Sequence, residues 1–187
     1  VDLGASPGSW CQVIREGVGQ DCTIVAVDLL KLRTAIPGTH FIQGDFSSVN
    51  VQRSLNEQLV ALGVTGGVDL VTSDMCPNRT GNIEDAHRLA ILDRNALRFA
   101  ANELKEGGHF VCKLVGHHDL YQDLLRDARR MFAKVVFAKP PASRQESDES
   151  FLVCLKRCRD SESLGAARNS RFGLDRWPGQ VREGSRK

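Results

Sequence analysis

The sequence lacks several features that would assign it to a common class. No apolar run approaches the roughly 18 residues that a membrane span requires. None of the six cysteines forms a C-x-x-C pair or stands beside a histidine cluster at zinc spacing. Only 6% of the residues are aromatic, and no aromatic-rich RNA-binding module is present. We therefore expect neither a membrane partner nor a bound metal.

What remains is an ordinary globular composition with an uneven charge distribution. The 187 residues are 41% hydrophobic and 26% charged, which suits one domain with a sizeable core. Several cysteines lie in apolar runs, where a reduced thiol packs well, and this favours a reducing compartment. Of the net charge of +2, residues 157–187 carry eight basic against four acidic side chains, or +4. This tail is either an arm for an anionic surface or a solvated segment.

Short β-branched runs alternate with longer amphipathic ones, which predicts an α/β fold with a mostly parallel sheet and helices on both faces. Helical spacing covers residues 47–63, 83–108 and 118–132, and Gly107 with Gly108 is a plausible C-cap of the second helix. The connection between the last two strands is too short for a crossover helix, so these strands should be antiparallel. Seven strands are predicted: Val1–Gly4, Thr23–Asp28, His40–Gln43, Val68–Ser73, Gly108–Val115, Lys134–Ala138 and Ser150–Leu155.

The first turn, "DLGASPGSW", joins a strand to a helix through Gly4 and Gly8. Glycines there permit a tight turn and close approach to a ligand, although the spacing is not the G-x-G-x-x-G that holds a pyrophosphate. Asp28 ends the next strand and could accept ribose hydroxyls, and Asp45 follows another strand and could reach an adenine edge. Either carboxylate could instead be a cap. Together they outline a site for S-adenosylmethionine rather than a dinucleotide.

Three later segments carry the candidate chemistry. "VTSDMCPN" delivers Asp74 at the carboxyl end of a strand, where open α/β sheets hold ligands. "FVCKLV" places Lys113 in an apolar strand, where desolvation would lower its pKa and make it a general base, unless it reaches solvent at an edge. "SRQESDES" supplies Glu149, which could hold that lysine, and Arg144, which could contact a phosphate; a solvated acidic loop is the alternative.

In this order, "DLGASPGSW", "VAVDLL", "GDF", "SDMCPN", "GGHFVCK" and "KPPASRQESDES" resemble the FtsJ/RrmJ-like family of S-adenosylmethionine-dependent ribosomal RNA 2′-O-methyltransferases. The resemblance runs from residue 1 to about residue 155. It is as close to mitochondrial as to bacterial members. The family implies a seven-stranded Rossmann-like fold with strand order 3-2-1-4-5-7-6 and a reversed strand seven. Residues 1–156 would form the methyltransferase domain, followed by the basic tail 157–187.

The resemblance also implies roles for particular residues. Asp74, Lys113 and Glu149 would be three of the four catalytic residues. The family's first catalytic lysine lies upstream of the glycine turn, so we expect the N-terminal front segment of the domain to be missing from this sequence. Arg79 and Arg144 are candidate RNA contacts. S-adenosylmethionine would contact residues of the glycine turn and the strand ends: Gly4, Gly8, Trp10, Asp28, Asp45 and Asp74.

The function expected from this resemblance is 2′-O-methylation of a ribose in ribosomal RNA. The substrate would be large-subunit RNA in a pre-ribosomal particle, with assembly factors as partners. The mitochondrial matrix is favoured as the compartment, with a bacterial-type cytoplasm as the alternative. A different class stays open: a weakly active or inactive methyltransferase-like assembly factor that binds the immature subunit as a scaffold. An NAD-dependent dehydrogenase fits poorly, because the pyrophosphate fingerprint is absent.

Overall fold

The computed structural model describes residues 1–76, 83–116, 118–139 and 149–158. Its strands are β1 Asp2–Leu3, β2 Ile24–Asp28, β3 Thr39–Gln43, β4 Val68–Ser73, β5 Leu104–Val115, β6 Phe132–Ala138 and β7 Glu149–Arg157. These seven strands form one sheet in the order β3-β2-β1-β4-β5-β7-β6, in which β7 runs antiparallel to both of its neighbours. This confirms the predicted fold class, strand order and reversed last strand.

Helices cover both faces of the sheet, as the alternating pattern predicted. They are α1 Ser9–Val18, α2 Val49–Ala61, α3 Ile83–Glu103 and α4 Gln122–Met131, with a 3₁₀ turn at His118–Tyr121. Successive side chains of a strand point to opposite faces, so the residues of β2 pack alternately into the two hydrophobic cores on either side of the sheet. Ile24 and Ala26 pack with Cys11 of α1, whereas Val25 and Val27 belong to the larger core with α2, α3 and α4.

The predicted end of α3 is wrong. We expected Gly107 and Gly108 to cap this helix, but the helix ends at Glu103 and both glycines lie within β5. The cause is a contact that is distant in sequence. A side chain on Gly67 would lie 2.6 Å from the Lys105 nitrogen, so this glycine lets the two backbones approach closely enough for Leu104 to pair with Val68.

The segment 118–132 is also subdivided more finely than its periodicity indicated. It begins as a 3₁₀ turn, continues as α4, and ends with Phe132 as the first residue of β6.

All six cysteines are free thiols, and three of them, Cys11, Cys112 and Cys154, are buried. No helix among the described residues has the length and apolarity to cross a membrane. The boundary between domain and tail stays a prediction, because residues 159–187 lie outside the described part.

One carboxyl group is fully buried in the larger core. Asp93 of α3 has no exposed surface, and its Oδ1 accepts a hydrogen bond from the Cys112 thiol at 3.5 Å. Its Oδ2 has no hydrogen-bond partner among the described residues. Burial raises the pKa of Asp93 to about 8, although the thiol bond acts in the opposite direction. Asp93 is therefore mostly protonated at neutral pH.

This buried carboxyl predicts a pH-dependent stability. The unfolded chain releases the Asp93 proton near its ordinary pKa of 3.8, whereas the folded protein keeps it until about pH 8. Stability should fall as the pH rises through this window, by up to about 1.4 kcal/mol per pH unit. Urea unfolding at several pH values measures this slope, and Asp93→Asn should flatten it. Asp123→Asn, at an exposed site on α4, is the control and should keep the slope.

Candidate active site

Three ionisable side chains meet where β4 and β5 end and β7 begins. Asp74 directly follows β4, Lys113 lies near the end of β5, and Glu149 is the first residue of β7. Lys113 Nζ forms an ion pair with Asp74 Oδ1 and lies 3.8 Å from Glu149 Oε1. The Lys113 side chain is 17% exposed, against 24% for Asp74 and 45% for Glu149. The structure thus brings together the three side chains that the sequence predicted as catalytic.

Strand register explains why these side chains share one face. Lys113 is paired with Phe151 across the antiparallel β5–β7 ladder, and Val115 is paired with Glu149. Residues two apart in a strand lie on the same face, so Lys113 and Glu149 are diagonal neighbours. The last β4–β5 register pair joins the residues just before Asp74 and Lys113. Asp74 therefore comes alongside Lys113.

The charge state expected for Lys113 is wrong. The sequence predicted a pKa lowered by desolvation, which would make the amine a general base. Burial does lower the pKa, but the hydrogen bond and charge of Asp74 and the charge of Glu149 outweigh it, so that the pKa is raised. Lys113 is an ammonium ion in this structure because two carboxylates lie within ion-pair distance of it.

The turn after β1 is built on two glycines in the left-handed region. Gly4 has φ 76°, and a side chain there would lie 2.6 Å from the Met75 nitrogen and 2.8 Å from the Asp74 carbonyl carbon. Gly8 has φ 119° and stands directly before α1. Gly4 therefore allows β1 to lie against the chain segment that carries Asp74, which joins the predicted cofactor turn to the candidate catalytic cluster.

Asp28 connects this turn to the loop after β2. Its Oδ2 accepts a hydrogen bond from the Ser6 N–H at 2.8 Å, and its Oδ1 accepts one from the Leu30 N–H at 2.7 Å. Each carboxylate oxygen has a second acceptor site, so Asp28 can still receive hydroxyl groups. The bond to Leu30 is a local turn interaction and not the helix cap that was the alternative for Asp28, because no helix begins in the fully described stretch between β2 and β3. The side chain therefore has a structural role, whatever it binds.

Asp45 also has a local partner. Its Oδ1 accepts a hydrogen bond from the Ser47 N–H at 2.8 Å, and the residue is exposed just beyond β3. The main-chain N–H of Gly44 donates to the Asp28 carbonyl at 2.9 Å, so the segment ahead of Asp45 is fastened to the end of β2. Asp28 ends β2 and Asp45 follows β3, so both carboxylates lie at the carboxyl ends of neighbouring strands.

Trp10 lies closer to the candidate catalytic cluster than the sequence suggested. We predicted it as a cofactor contact at the start of α1, and its ring packs against Phe151 with 5.9 Å between ring centroids. Phe151 is the register partner of Lys113. Trp10 and Phe151 therefore form an aromatic wall beside the lysine, which sequence reasoning missed because it gave Phe151 no role.

Leu29 and Leu30 directly follow Asp28, and the sequence analysis did not select them. The two residues are 64% and 68% exposed. An exposed apolar pair beside a candidate binding residue is a candidate ligand contact.

Arg79 and Arg144, predicted to contact RNA, lie outside the described residues. Within the described ranges, no group of three or more acidic, cysteine or histidine side chains could hold a metal ion.

Residues 1–157 match the FtsJ-like methyltransferase family. The chain belongs to this family. Its curated relatives include "Ribosomal RNA large subunit methyltransferase E" of Alkalilimnicola ehrlichii, 44% identical over 82% of this chain and 71% of the relative. The protein of the same name from Cellvibrio japonicus is 45% identical over 82% and 70% of the two chains. The predicted family and its methyltransferase class are confirmed.

A solved structure supports the same fold. It is the crystal structure of a Plasmodium falciparum protein described as a ribosomal RNA methyltransferase. The match has a TM-score of 0.70 and 28% sequence identity, and it covers 85% of this chain and 86% of that one. This agrees with the sheet order found above.

The close approach at Gly4 predicts a position-specific effect of adding one methyl group. Gly4→Ala should lower the thermal midpoint by several degrees, because the new side chain would displace the Asp74 segment. Gly17→Ala is the matched control: it lies in α1 with nothing within 4 Å of the added atom, and should stabilise the protein slightly. Thermal unfolding of both variants checks this. Equal midpoints would contradict it.

The ion pair predicts how the pKa of Lys113 responds to its partner. Asp74→Asn should lower this pKa, because desolvation remains while the hydrogen bond and charge of Asp74 are lost. Titration of the Lys113 Cε resonance by NMR measures the change. Asp69→Asn, which removes the partner of Lys105 at another ion pair, is the control and should leave the Lys113 titration where it was. An unchanged Lys113 pKa in Asp74→Asn would show that other groups hold the ammonium.

Proposed function

We propose that this protein transfers a methyl group from S-adenosylmethionine to a ribose 2′-hydroxyl of large-subunit ribosomal RNA, in a pre-ribosomal particle. The observation that carries the proposal is the cluster of Lys113, Asp74 and Glu149 beside the glycine turn. The names of the bacterial relatives support ribosomal RNA of the large subunit as the substrate. The 2′-hydroxyl position comes from the family resemblance.

The residues around the glycine turn fit the cofactor. Asp28 has free acceptor sites for ribose hydroxyls, and the exposed Leu29 and Leu30 beside it offer an apolar surface for a planar base. Gly8 has no side chain to obstruct a ligand at the start of α1, and Asp45 stands exposed at the neighbouring strand end. When bound, S-adenosylmethionine would supply a methyl group on a sulfonium, which is already an activated donor.

The charges of the cluster define what the chain itself can do. One ammonium and two carboxylates give a net charge of −1, so the cluster can accept one proton and become neutral. Lys113 Nζ would orient the ribose by hydrogen bonding to its 2′-oxygen, while Asp74 or Glu149 accepts the hydroxyl proton. Positioning of the hydroxyl supplies most of the rate, and proton acceptance adds about 10² to 10⁴-fold.

The RNA partner would be engaged mainly through phosphate contacts. Arg79, Arg144 and the basic segment 157–187 are the proposed contacts, so binding should weaken with salt. Without an aromatic-rich module for single strands, the chain is better suited to RNA presented by a particle and its assembly factors than to free RNA. The mitochondrial matrix, with a bacterial-type cytoplasm as the alternative, stays our prediction for the compartment.

Lys113→Ala tests the catalytic assignment. The variant should lose methyl transfer by at least about 10²-fold and keep its affinity for S-adenosylmethionine within a few fold, because Lys113 contacts the acceptor side of the site. Single-turnover transfer of a labelled methyl group to large ribosomal subunits, purified from cells that lack this gene, measures the first quantity. Isothermal titration measures the second. Lys105→Ala, at an exposed ion pair away from the cluster, is the matched control.

Two outcomes would redirect the proposal. Undiminished turnover in Lys113→Ala would remove the lysine from the mechanism. Absence of S-adenosylmethionine binding by the full-length protein, together with binding to immature subunits, would favour the scaffold function instead. If the protein does transfer methyl groups, mapping ribose methylation in ribosomal RNA with and without the protein identifies the modified nucleotide.

A further inference from the structure

The carboxyl end of β5 extends beyond the end of its neighbour β4. The last register pair of these strands joins Ser73 to Cys112, after which Asp74 leaves the strand. On its other edge, β5 stays paired with β7 through residues 113–115. The segment that carries Lys113 is therefore held by a neighbouring strand on one edge only.

Tyr121 occupies the open edge at Val115. Its hydroxyl accepts a hydrogen bond from the Val115 N–H at 3.0 Å and donates one to the Val115 carbonyl at 2.5 Å. The N–H and C=O of a strand residue point towards the same neighbouring strand, so both groups of Val115 are turned away from β7. One side chain therefore supplies the two hydrogen bonds that a longer β4 would have supplied.

The burial of Tyr121 makes this contact a rigid one. The residue is 2% exposed, belongs to the larger core, and ends the 3₁₀ turn that leads into α4. Loss of its hydroxyl would leave two main-chain groups of Val115 without these partners in a buried position. It is the only tyrosine in the chain.

We propose that Tyr121 is a positioning residue of the active site, whose hydroxyl fixes the end of β5 and thereby the place of Lys113 between Asp74 and Glu149. Val115 is the register partner of Glu149, and Lys113 lies two residues before it on the same face. A shift of Val115 therefore moves both members of the Lys113–Glu149 pair. The effect on catalysis rests on the proposed role of Lys113, whereas the effect on its position does not.

Tyr121→Phe tests the proposal in the full chain, because it removes only the hydroxyl. We expect kcat for methyl transfer to large ribosomal subunits to fall at least about tenfold, as misplaced groups lose rate steeply, with KM for S-adenosylmethionine nearly unchanged. The pKa of Lys113, followed by NMR, should fall as its carboxylates move away. Amide hydrogen exchange at Val115 should become at least about tenfold faster.

A stability control separates positioning from general loosening. Leu125→Val removes one methylene from a buried side chain of α4 and changes no hydrogen bond at Val115. Each protein is assayed at the same number of degrees below its own thermal midpoint. Under these conditions Leu125→Val should have the same kcat and the same Lys113 pKa as the unsubstituted protein. The proposal is overturned if Tyr121→Phe leaves both quantities unchanged, or if Leu125→Val changes them equally.

The readouts also distinguish failure of this inference from failure of the proposed function. If Lys113→Ala keeps full turnover, the catalytic role fails, but the Lys113 pKa and Val115 exchange in Tyr121→Phe still decide the positioning role. If Tyr121→Phe does not fold, 3,5-difluorotyrosine can replace the single tyrosine, because it keeps the ring but makes the hydroxyl a weaker acceptor and a stronger donor, so that both hydrogen bonds to Val115 change. Both readouts should shift, and no shift overturns the proposal.

Discussion

The active-site end of this sheet depends on one ammonium ion placed between two carboxylates. Lys113 is mostly buried, and a buried charge is tolerated only when opposite charges or polar groups compensate for lost hydration. Asp74 and Glu149 supply that compensation from two different segments of chain. The same attraction therefore keeps Lys113 charged and connects the end of β4, the end of β5 and the start of β7.

This arrangement depends on strand alternation. Each charged residue has a buried neighbour in sequence on the opposite face: Ser73 before Asp74, Cys112 before Lys113 and Ser150 after Glu149. A one-residue slip of any of these strands would exchange the charged and the buried residue. The core behind the sheet thus helps to specify the site, because a one-residue slip would turn a charged side chain into the core.

The α/β class and the reversed last strand were readable from the sequence because their signals are local: the alternation of strand and helix patterns, and the short connection before the last strand. The full strand order came from the family resemblance instead. The end of α3 was not readable, because Leu104 pairs with Val68 only where Gly67 permits close approach. The local sequence of residues 103–108, "ELKEGG", contains no signal that predicts this contact.

The site was predictable in membership but not in charge state. Asp74 was selected because it follows a strand, Lys113 because it lies inside an apolar strand, and Glu149 because it precedes the last strand. Their catalytic roles came from the family resemblance. The pKa of Lys113, however, is decided by competing effects of burial and two carboxylates, and their distances are fixed only by the folded sheet. The role of Tyr121 was not predicted for a related reason, since its hydroxyl bonds to the main chain of Val115, six residues away, and belongs to no recognisable motif. Aromatic side chains in amphipathic segments ordinarily indicate packing alone.

The two backbone hydrogen bonds of Asp28 have a consequence for ligand binding. They fasten the turn after β1 and the loop after β2 to one carboxylate, so these segments are already ordered before any ligand arrives. Binding then costs little conformational entropy on this side of the cleft. Discrimination between cofactors of similar shape should then arise, at the two segments that Asp28 joins, from the enthalpy of individual contacts.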